Sequence, residues 1–145
     1  MPKRVQLQMS NSSYVTISRD TAEIDTNDMG DCVSVVIYAS TGIRAQHCLG
    51  GIEAAVAGIC DLAVGDKGAR AVFVGGSITD YVRGKCADLL SDAGVNAPFA
   101  VVHRARAIID VNALADASDT SSIASCVRVY AEGMPSKKGS SCTIL

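Results

Sequence analysis

The fold is decided by one apolar, β-branched stretch in the first third of the chain, Cys32-Val33-Ser34-Val35-Val36-Ile37-Tyr38. The stretch is too short for most helices, and Val and Ile are typical of buried strands, so it predicts a strand. The turn Ser40-Thr41-Gly42 follows it, and residues 43–49 then alternate apolar and polar side chains. The simplest topology is a β-hairpin, which returns His47 to the start of the first strand.

Outward from this hairpin, the chain alternates segments typical of strands and of helices. Strands are predicted at 14–18, 71–74, 98–103, 107–111 and 126–130, and helical spacing predicts helices over 51–64 and 81–92. This order favours an α+β domain in which two helices cover one face of a mixed or antiparallel, sandwich-like β-sheet. We expect residues 1–13 to be a loose terminus and an Ala- and Ser-rich connection to precede the last strand. The domain then spans 14–130, followed by a flexible tail over 131–145.

Composition excludes several classes of protein. The 145 residues are 48% hydrophobic, enough for one globular core, and the formal charge of −2 argues against a nucleic-acid partner. No apolar run approaches the roughly 18 residues that a membrane span needs, and no secretory signal is recognised at the start. The six cysteines lie singly in apolar stretches, so we expect them to be mostly reduced. With no CxxC pair and two histidines, a zinc site lacks its ligands.

The candidate catalytic residues are Cys32, His47 and Thr26. A cysteine nucleophile acts as the thiolate, and it needs a nearby base and backbone N–H groups that stabilise developing charge. Gly30-Asp31 offers a turn before Cys32, the hairpin returns His47, and Thr26 is placed to hold the far imidazole nitrogen. The structural alternative is that Cys32 is a small buried hydrophobe and His47 a satisfied core histidine. The competing base, His103, lies on another apolar strand, and a structural role is favoured for it.

These residues resemble a known family, the CheD-like cysteine deamidase superfamily. It includes bacterial chemoreceptor glutamine deamidases and the catalytic domain of cytotoxic necrotizing factor toxins. Its members carry a threonine, a turn ending in cysteine that opens a strand, and a histidine at the end of a short hairpin. Thr26, the segment Met29-Gly30-Asp31-Cys32-Val33 and His47 fall in this order, and Ala71-Val72-Phe73-Val74-Gly75-Gly76-Ser77 resembles a strand with the family's Phe-Gly-Gly-Ala-like end. The similarity spans residues 20–112.

The resemblance implies a CheD-like deamidase fold and hydrolysis of a glutamine side chain in a protein substrate. Cys32 is then the nucleophile, His47 the proton donor to ammonia and Thr26 the residue that orients His47, without a metal or organic cofactor. The chain departs from the chemoreceptor branch at two places. Asp31 stands where a small serine is usual, and residues 80–84 replace a Gly-Arg-Asn-like segment. Reaction type is therefore better supported than substrate.

The last four residues, Cys142-Thr143-Ile144-Leu145, fit a CaaX prenylation pattern behind the pair Lys137-Lys138. A terminal Leu favours geranylgeranylation by a host prenyltransferase, and the lysines favour an anionic membrane leaflet. We therefore expect a bacterial effector secreted into a host cell, lipidated at Cys142 and held at the host membrane near substrates such as small GTPases. The alternatives are a cytoplasmic deamidase of bacterial chemoreceptors and a non-catalytic binding module of the same fold in which Cys32 is buried.

Overall fold

The structure, a computed structural model, describes residues 3–8, 14–26, 32–49, 59–76 and 80–129, with only the main chain described at 48, 49 and 129. These residues form nine strands, a short 3-10 helix and three α-helices. The strands are β1 (Lys3–Gln6), β2 (Val15–Ile17), β3 (Thr21–Thr26), β4 (Cys32–Ala39), β5 (Gly42–Leu49), β6 (Arg70–Gly75), β7 (Phe99–His103), β8 (Ala107–Asp110) and β9 (Val127–Val129). The helices are the 3-10 helix Cys60–Leu62, α1 (Asp80–Asp92), α2 (Val111–Asp116) and α3 (Thr120–Ala124).

The strands are arranged in two mixed sheets. The small sheet has the order β1-β3-β8-β9 and the large sheet the order β2-β5-β4-β6-β7. In each sheet one pair is parallel, β1 with β3 and β6 with β7, and the other pairs are antiparallel. The expected α+β class is confirmed, although the strands divide between two sheets. Whether the fold is CheD-like remains a prediction.

β4 is buried on both faces because the large sheet lies between two hydrophobic cores. Val36 on one face packs with Ile24 and Ile109 of the small sheet, and this cluster is called the inter-sheet core. Val35 and Ile37 on the other face belong to a second cluster with residues of α1. A strand enclosed on both sides has no need to alternate polar and apolar residues, which explains the continuous apolar run in the sequence.

The second predicted helix is confirmed as α1, including its end. Gly94 has a positive φ of 78°, and the N–H of Val95 donates to the Leu90 carbonyl at 2.9 Å. The N–H of Gly94 donates to the Ser91 carbonyl at 3.0 Å, which completes a Schellman ending. Cys86 and Leu90 are the buried residues that attach this helix to the large sheet.

Three expectations about local structure need correction. The segment expected to be a loose terminus contains β1, which gains its order from pairing with β3, and β3 pairs in turn with β8. The expected connection contains α2 and α3, whose first turns are capped by the carboxylates of Asp110 and Asp119. Most of the helix predicted over 51–64 lies outside the described residues, and its described end is the 3-10 helix Cys60–Leu62.

Candidate functional site

Cys32 and His47 lie on the same face of the large sheet, on adjacent strands. In the antiparallel pair β4 and β5, Cys32 is opposite Leu49 and Ser34 is opposite His47. Residues two apart in a strand share a face, so Cys32, Ser34 and His47 all lie on the face toward the small sheet. Cys32 and His47 are diagonal neighbours, a relation in which residues are about 7–8 Å apart and long side chains can meet. The hairpin therefore brings the predicted nucleophile and base together.

Leu7, the residue after β1, orients the His47 imidazole. His47 is fully buried, and its Nδ1 lies 3.4 Å from the carbonyl oxygen of Leu7. A carbonyl only accepts hydrogen bonds, so a hydrogen bond at this contact requires the proton on Nδ1 and leaves Nε2 as the nitrogen that can receive one. Leu7 is held in turn by its own N–H, which donates to the Asp25 carbonyl at 2.9 Å. Sequence reasoning missed Leu7 because a main-chain carbonyl carries no residue-specific signal.

Thr26 is the last residue of β3 and follows Asp25, whose carbonyl accepts the Leu7 N–H. Its side chain is fully buried, and its hydroxyl donates to the carbonyl of Ala107 at 3.2 Å. This bond ties β3 to β8, while the neighbouring residue Asp25 holds Leu7. The role of Thr26 in orienting His47 stays a prediction, and the described acceptor for the imidazole is the Leu7 carbonyl.

Cys32 is fully buried and forms a disulfide in this structure. The expectation of mostly reduced cysteines therefore fails at Cys32, while Cys60, Cys86 and Cys126 are free thiols. A disulfide sulfur has no thiolate electron pair to offer, so it cannot attack an amide. Thiolate chemistry at Cys32 requires prior thiol–disulfide exchange with a thiol reductant. The reductant is oxidised to a disulfide, and Cys32 becomes a free thiol.

The three described free thiols are poor nucleophiles. Burial raises the pKa of Cys60 to about 11, with a further contribution from the Asp61 carboxylate. Burial also raises the pKa of Cys86 to about 11. The pKa of Cys126 is raised by burial and then by the charge of Asp110. At neutral pH these groups stay protonated, so none of them competes with Cys32 for the role of nucleophile.

His103 has a structural environment on the other face of the large sheet. Gly75 pairs with both Val33 and His103, so this histidine shares the face of Val33, next to Cys32 in sequence but on the opposite side. Its Nε2 lies 2.7 Å from the Gly76 carbonyl oxygen. The contact joins β7 to Gly76, consistent with the structural role favoured from sequence.

Ser34 is a polar residue of this site that sequence reasoning missed. Its side chain is fully buried, and its hydroxyl oxygen has no hydrogen-bond partner within the described part of the chain. Leaving a buried hydroxyl unsatisfied costs about 1–3 kcal/mol. The available signal was its position two residues after Cys32, on the strand to which the predicted hairpin returns His47.

The described parts of the chain contain neither a cluster of metal-ligating side chains nor a helix that could span a membrane. Within them, no group of three or more His, Cys, Asp and Glu side chains could hold a metal ion. None of the helices described here is long and apolar enough to cross a bilayer. Cys142 and the expected tail over 131–145 lie outside the described residues.

Comparison with known proteins assigns no family. No protein-family model matches the chain, and no curated protein matches it. The resemblance drawn from sequence therefore depends on the motifs around Thr26, Cys32 and His47 and on the strand 71–77. What the described geometry offers chemically is one cysteine sulfur, one oriented imidazole and one unsatisfied hydroxyl on a shared buried face.

Proposed function

We propose that the protein is a protein-glutamine deamidase whose active form carries Cys32 as a reduced thiol. The supporting observation is the placement of Cys32 and His47 as diagonal neighbours on one face of the hairpin, with the imidazole held at Nδ1 by the Leu7 carbonyl. A nucleophile, a base and a group that orients the base are the parts that cysteine hydrolases need. Thr26 supports this arrangement through β3, and the reaction needs no metal or organic cofactor.

The proposed reaction has two steps. His47 Nε2 takes the proton of the Cys32 thiol, and the thiolate attacks Cδ of a glutamine side chain while the backbone N–H of Cys32 stabilises the oxyanion. The C–N bond breaks, and ammonia leaves with the proton from His47. Water then adds to the thioester, His47 accepts its proton, and the C–S bond breaks to release glutamate and the cysteine. The net change is glutamine plus water to glutamate plus ammonia.

The burial of both residues bears on the substrate. With Cys32 and His47 both fully buried, a glutamine on a partner can reach them only if the local structure opens. We propose a protein substrate with an exposed glutamine, such as a host small GTPase. Water is the only proposed acceptor of the acyl group from the thioester. A chemoreceptor is the alternative substrate for the same chemistry.

The proposed setting is a host cell. The CaaX-like ending at Cys142 is the sequence feature that supports delivery into a host and lipidation by a host prenyltransferase. The cytosol keeps thiols reduced, which would also release Cys32 from its disulfide after delivery. The alternative setting is that of a cytoplasmic chemoreceptor deamidase. Lipid modification of Cys142 distinguishes the two settings, because only the host effector should carry it.

A second function is favoured by a specific observation. Complete burial and oxidation of Cys32 are what a non-catalytic binding module of the same fold would show. In such a module the disulfide would remain in the working protein, and reduction would weaken its stability without creating an activity. The two functions therefore differ in what a thiol reductant does.

Peptide mass spectrometry tests the deamidase directly. Purified protein, reduced with a thiol, is incubated with candidate GTPases or chemoreceptors, and substrate peptides are searched for the gain of about 1 Da that amide hydrolysis produces. Cys32→Ser and His47→Ala should each abolish the change. Cys86→Ala is the matched control, since Cys86 is equally buried but lies on α1 in the other core. Equal activity of Cys32→Ser and the wild type, or no activity with any substrate, would contradict the proposal.

A further inference from the structure

Ser34 is a buried polar residue that the proposed mechanism does not use. Its hydroxyl is fully buried on the face that also carries Cys32 and His47, and it has no hydrogen-bond partner among the described residues. Buried hydroxyls in proteins are nearly always hydrogen-bonded, so an exception calls for a physical reason. Removing such a group would relieve its desolvation cost, which makes a purely stabilising role for Ser34 a poor explanation.

The register places Ser34 between the two residues of the proposed pair. Ser34 is directly opposite His47 across β4 and β5, and it follows Cys32 by two positions on the same strand and face. Directly opposite residues have Cβ atoms about 4.5–5.5 Å apart, and residues two apart in a strand are separated by about 6.5 Å. A hydroxyl on this face can therefore turn toward either neighbour.

The charge state of the site decides which neighbour needs the hydroxyl. In the disulfide form the sulfur of Cys32 is neutral and a weak acceptor, so Ser34 gains little by donating to it. After reduction and proton transfer, the same sulfur is a buried anion next to an imidazolium cation. A buried anion is costly unless hydrogen-bond donors reach it, and hydrogen bonds to charged groups are stronger than those between neutral groups.

We propose that Ser34 is a positioning residue whose hydroxyl donates a hydrogen bond to the Cys32 thiolate in the reduced protein. No covalent bond of Ser34 forms or breaks. The thiol proton moves to His47, and the Ser34 hydroxyl turns toward the sulfur that has lost it. The hydroxyl lacks a partner in the oxidised form because its partner is created by reduction and ionisation. This inference rests on the proposed function for its purpose, although the hydrogen bond itself can be tested without a substrate.

The test follows alkylation of Cys32 by iodoacetamide against pH in the reduced full-length protein, with each cysteine resolved by peptide mass spectrometry. In Ser34→Ala the pH of half-maximal alkylation at Cys32 should rise by about one unit, corresponding to about tenfold less thiolate at a given pH. Ser34→Thr keeps the hydroxyl and should restore the profile. Alkylation of Cys60 and Cys86 in the same samples is the internal reference, since both lie in the other core.

A matched variant separates this role from stability. Val36→Ala changes the next residue on the same face of β4, which is also fully buried. It should lower the urea midpoint of unfolding and leave the Cys32 pH profile in place, whereas Ser34→Ala should keep or raise the urea midpoint and move the profile. An unchanged profile in Ser34→Ala, or an equal shift in Val36→Ala, would overturn the inference. Absence of deamidation by the wild type would overturn the proposed function alone.

Discussion

The assignment of the Leu7 carbonyl as the group that orients His47 leads to a quantitative prediction for Leu7→Ala. Leu7 is 1% exposed and belongs to the inter-sheet core. Truncating a buried leucine to alanine costs about 2–5 kcal/mol, so the free energy of unfolding should fall by roughly 3 kcal/mol. Typical domains have about 5–15 kcal/mol of stability, which leaves the variant folded at room temperature.

The same change should release the imidazole. The distance of 3.4 Å between His47 Nδ1 and the Leu7 oxygen is already at the long end for a hydrogen bond. A shift of a few tenths of an ångström at Leu7, as β1 relaxes into the vacated space, removes the contact. His47 then loses the preference for a proton on Nδ1, and the rate of deamidation should fall by less than the roughly hundredfold that a misplacement of 1 Å can cost.

Nitrogen-15 NMR of the imidazoles measures this directly because the chain has two histidines. In the wild type His47 should carry its proton on Nδ1, whereas His103, which contacts the Gly76 carbonyl through Nε2, should carry it on Nε2. Leu7→Ala should change the first pattern and leave the second.

Leu114→Ala is the matched control, since Leu114 is fully buried in the same core but lies on α2. It should lose a similar amount of unfolding free energy in urea and keep both NMR patterns. Retention of the Nδ1 proton in Leu7→Ala, or its equal loss in Leu114→Ala, would refute the role of the carbonyl.

Three further predictions concern other parts of the chain. The hydrogen bond from Arg4 is the main cause of the lowered pKa of Glu23. Desolvation raises this pKa, and the hydrogen bond from Arg128 lowers it further. Because the charged carboxylate is the stabilising form, Glu23→Gln should cost about 0.5–1 kcal/mol at pH 7, and urea unfolding should show this difference vanish as the pH falls through the depressed pKa. Thr26→Ala removes a buried donor and should lower the unfolding free energy by about 1–2 kcal/mol in urea, with a smaller loss of deamidation than His47→Ala. In fractionated eukaryotic cells Cys142→Ser should move the protein from membranes to cytosol, and a wild type found wholly cytosolic with an unmodified tail would contradict the effector setting.

Local sequence determined the elements whose signals do not depend on the rest of the chain. The run from Cys32 to Tyr38, the turn before Gly42 and the alternation after it specify a hairpin and its register, because period and turn chemistry act over a few residues. Gly94 marked the end of α1 for the same reason, since a residue with positive φ favours glycine whatever surrounds it. This hairpin was enough to predict that His47 returns to the start of the strand that carries Cys32. Local sequence does not predict what surrounds the two residues.

Only the tertiary structure decided how that pair is surrounded. β1 and β3 have weak patterns of their own and become strands because each satisfies the backbone hydrogen bonds of the other, which local propensity does not record. The Leu7 carbonyl at His47 and the buried hydroxyl of Ser34 depend on the packing of one sheet on the other, and the disulfide of Cys32 depends on a second cysteine. A main-chain oxygen has no identity in a sequence, and a cysteine has the same letter as thiol or disulfide, so these features come from three-dimensional proximity alone.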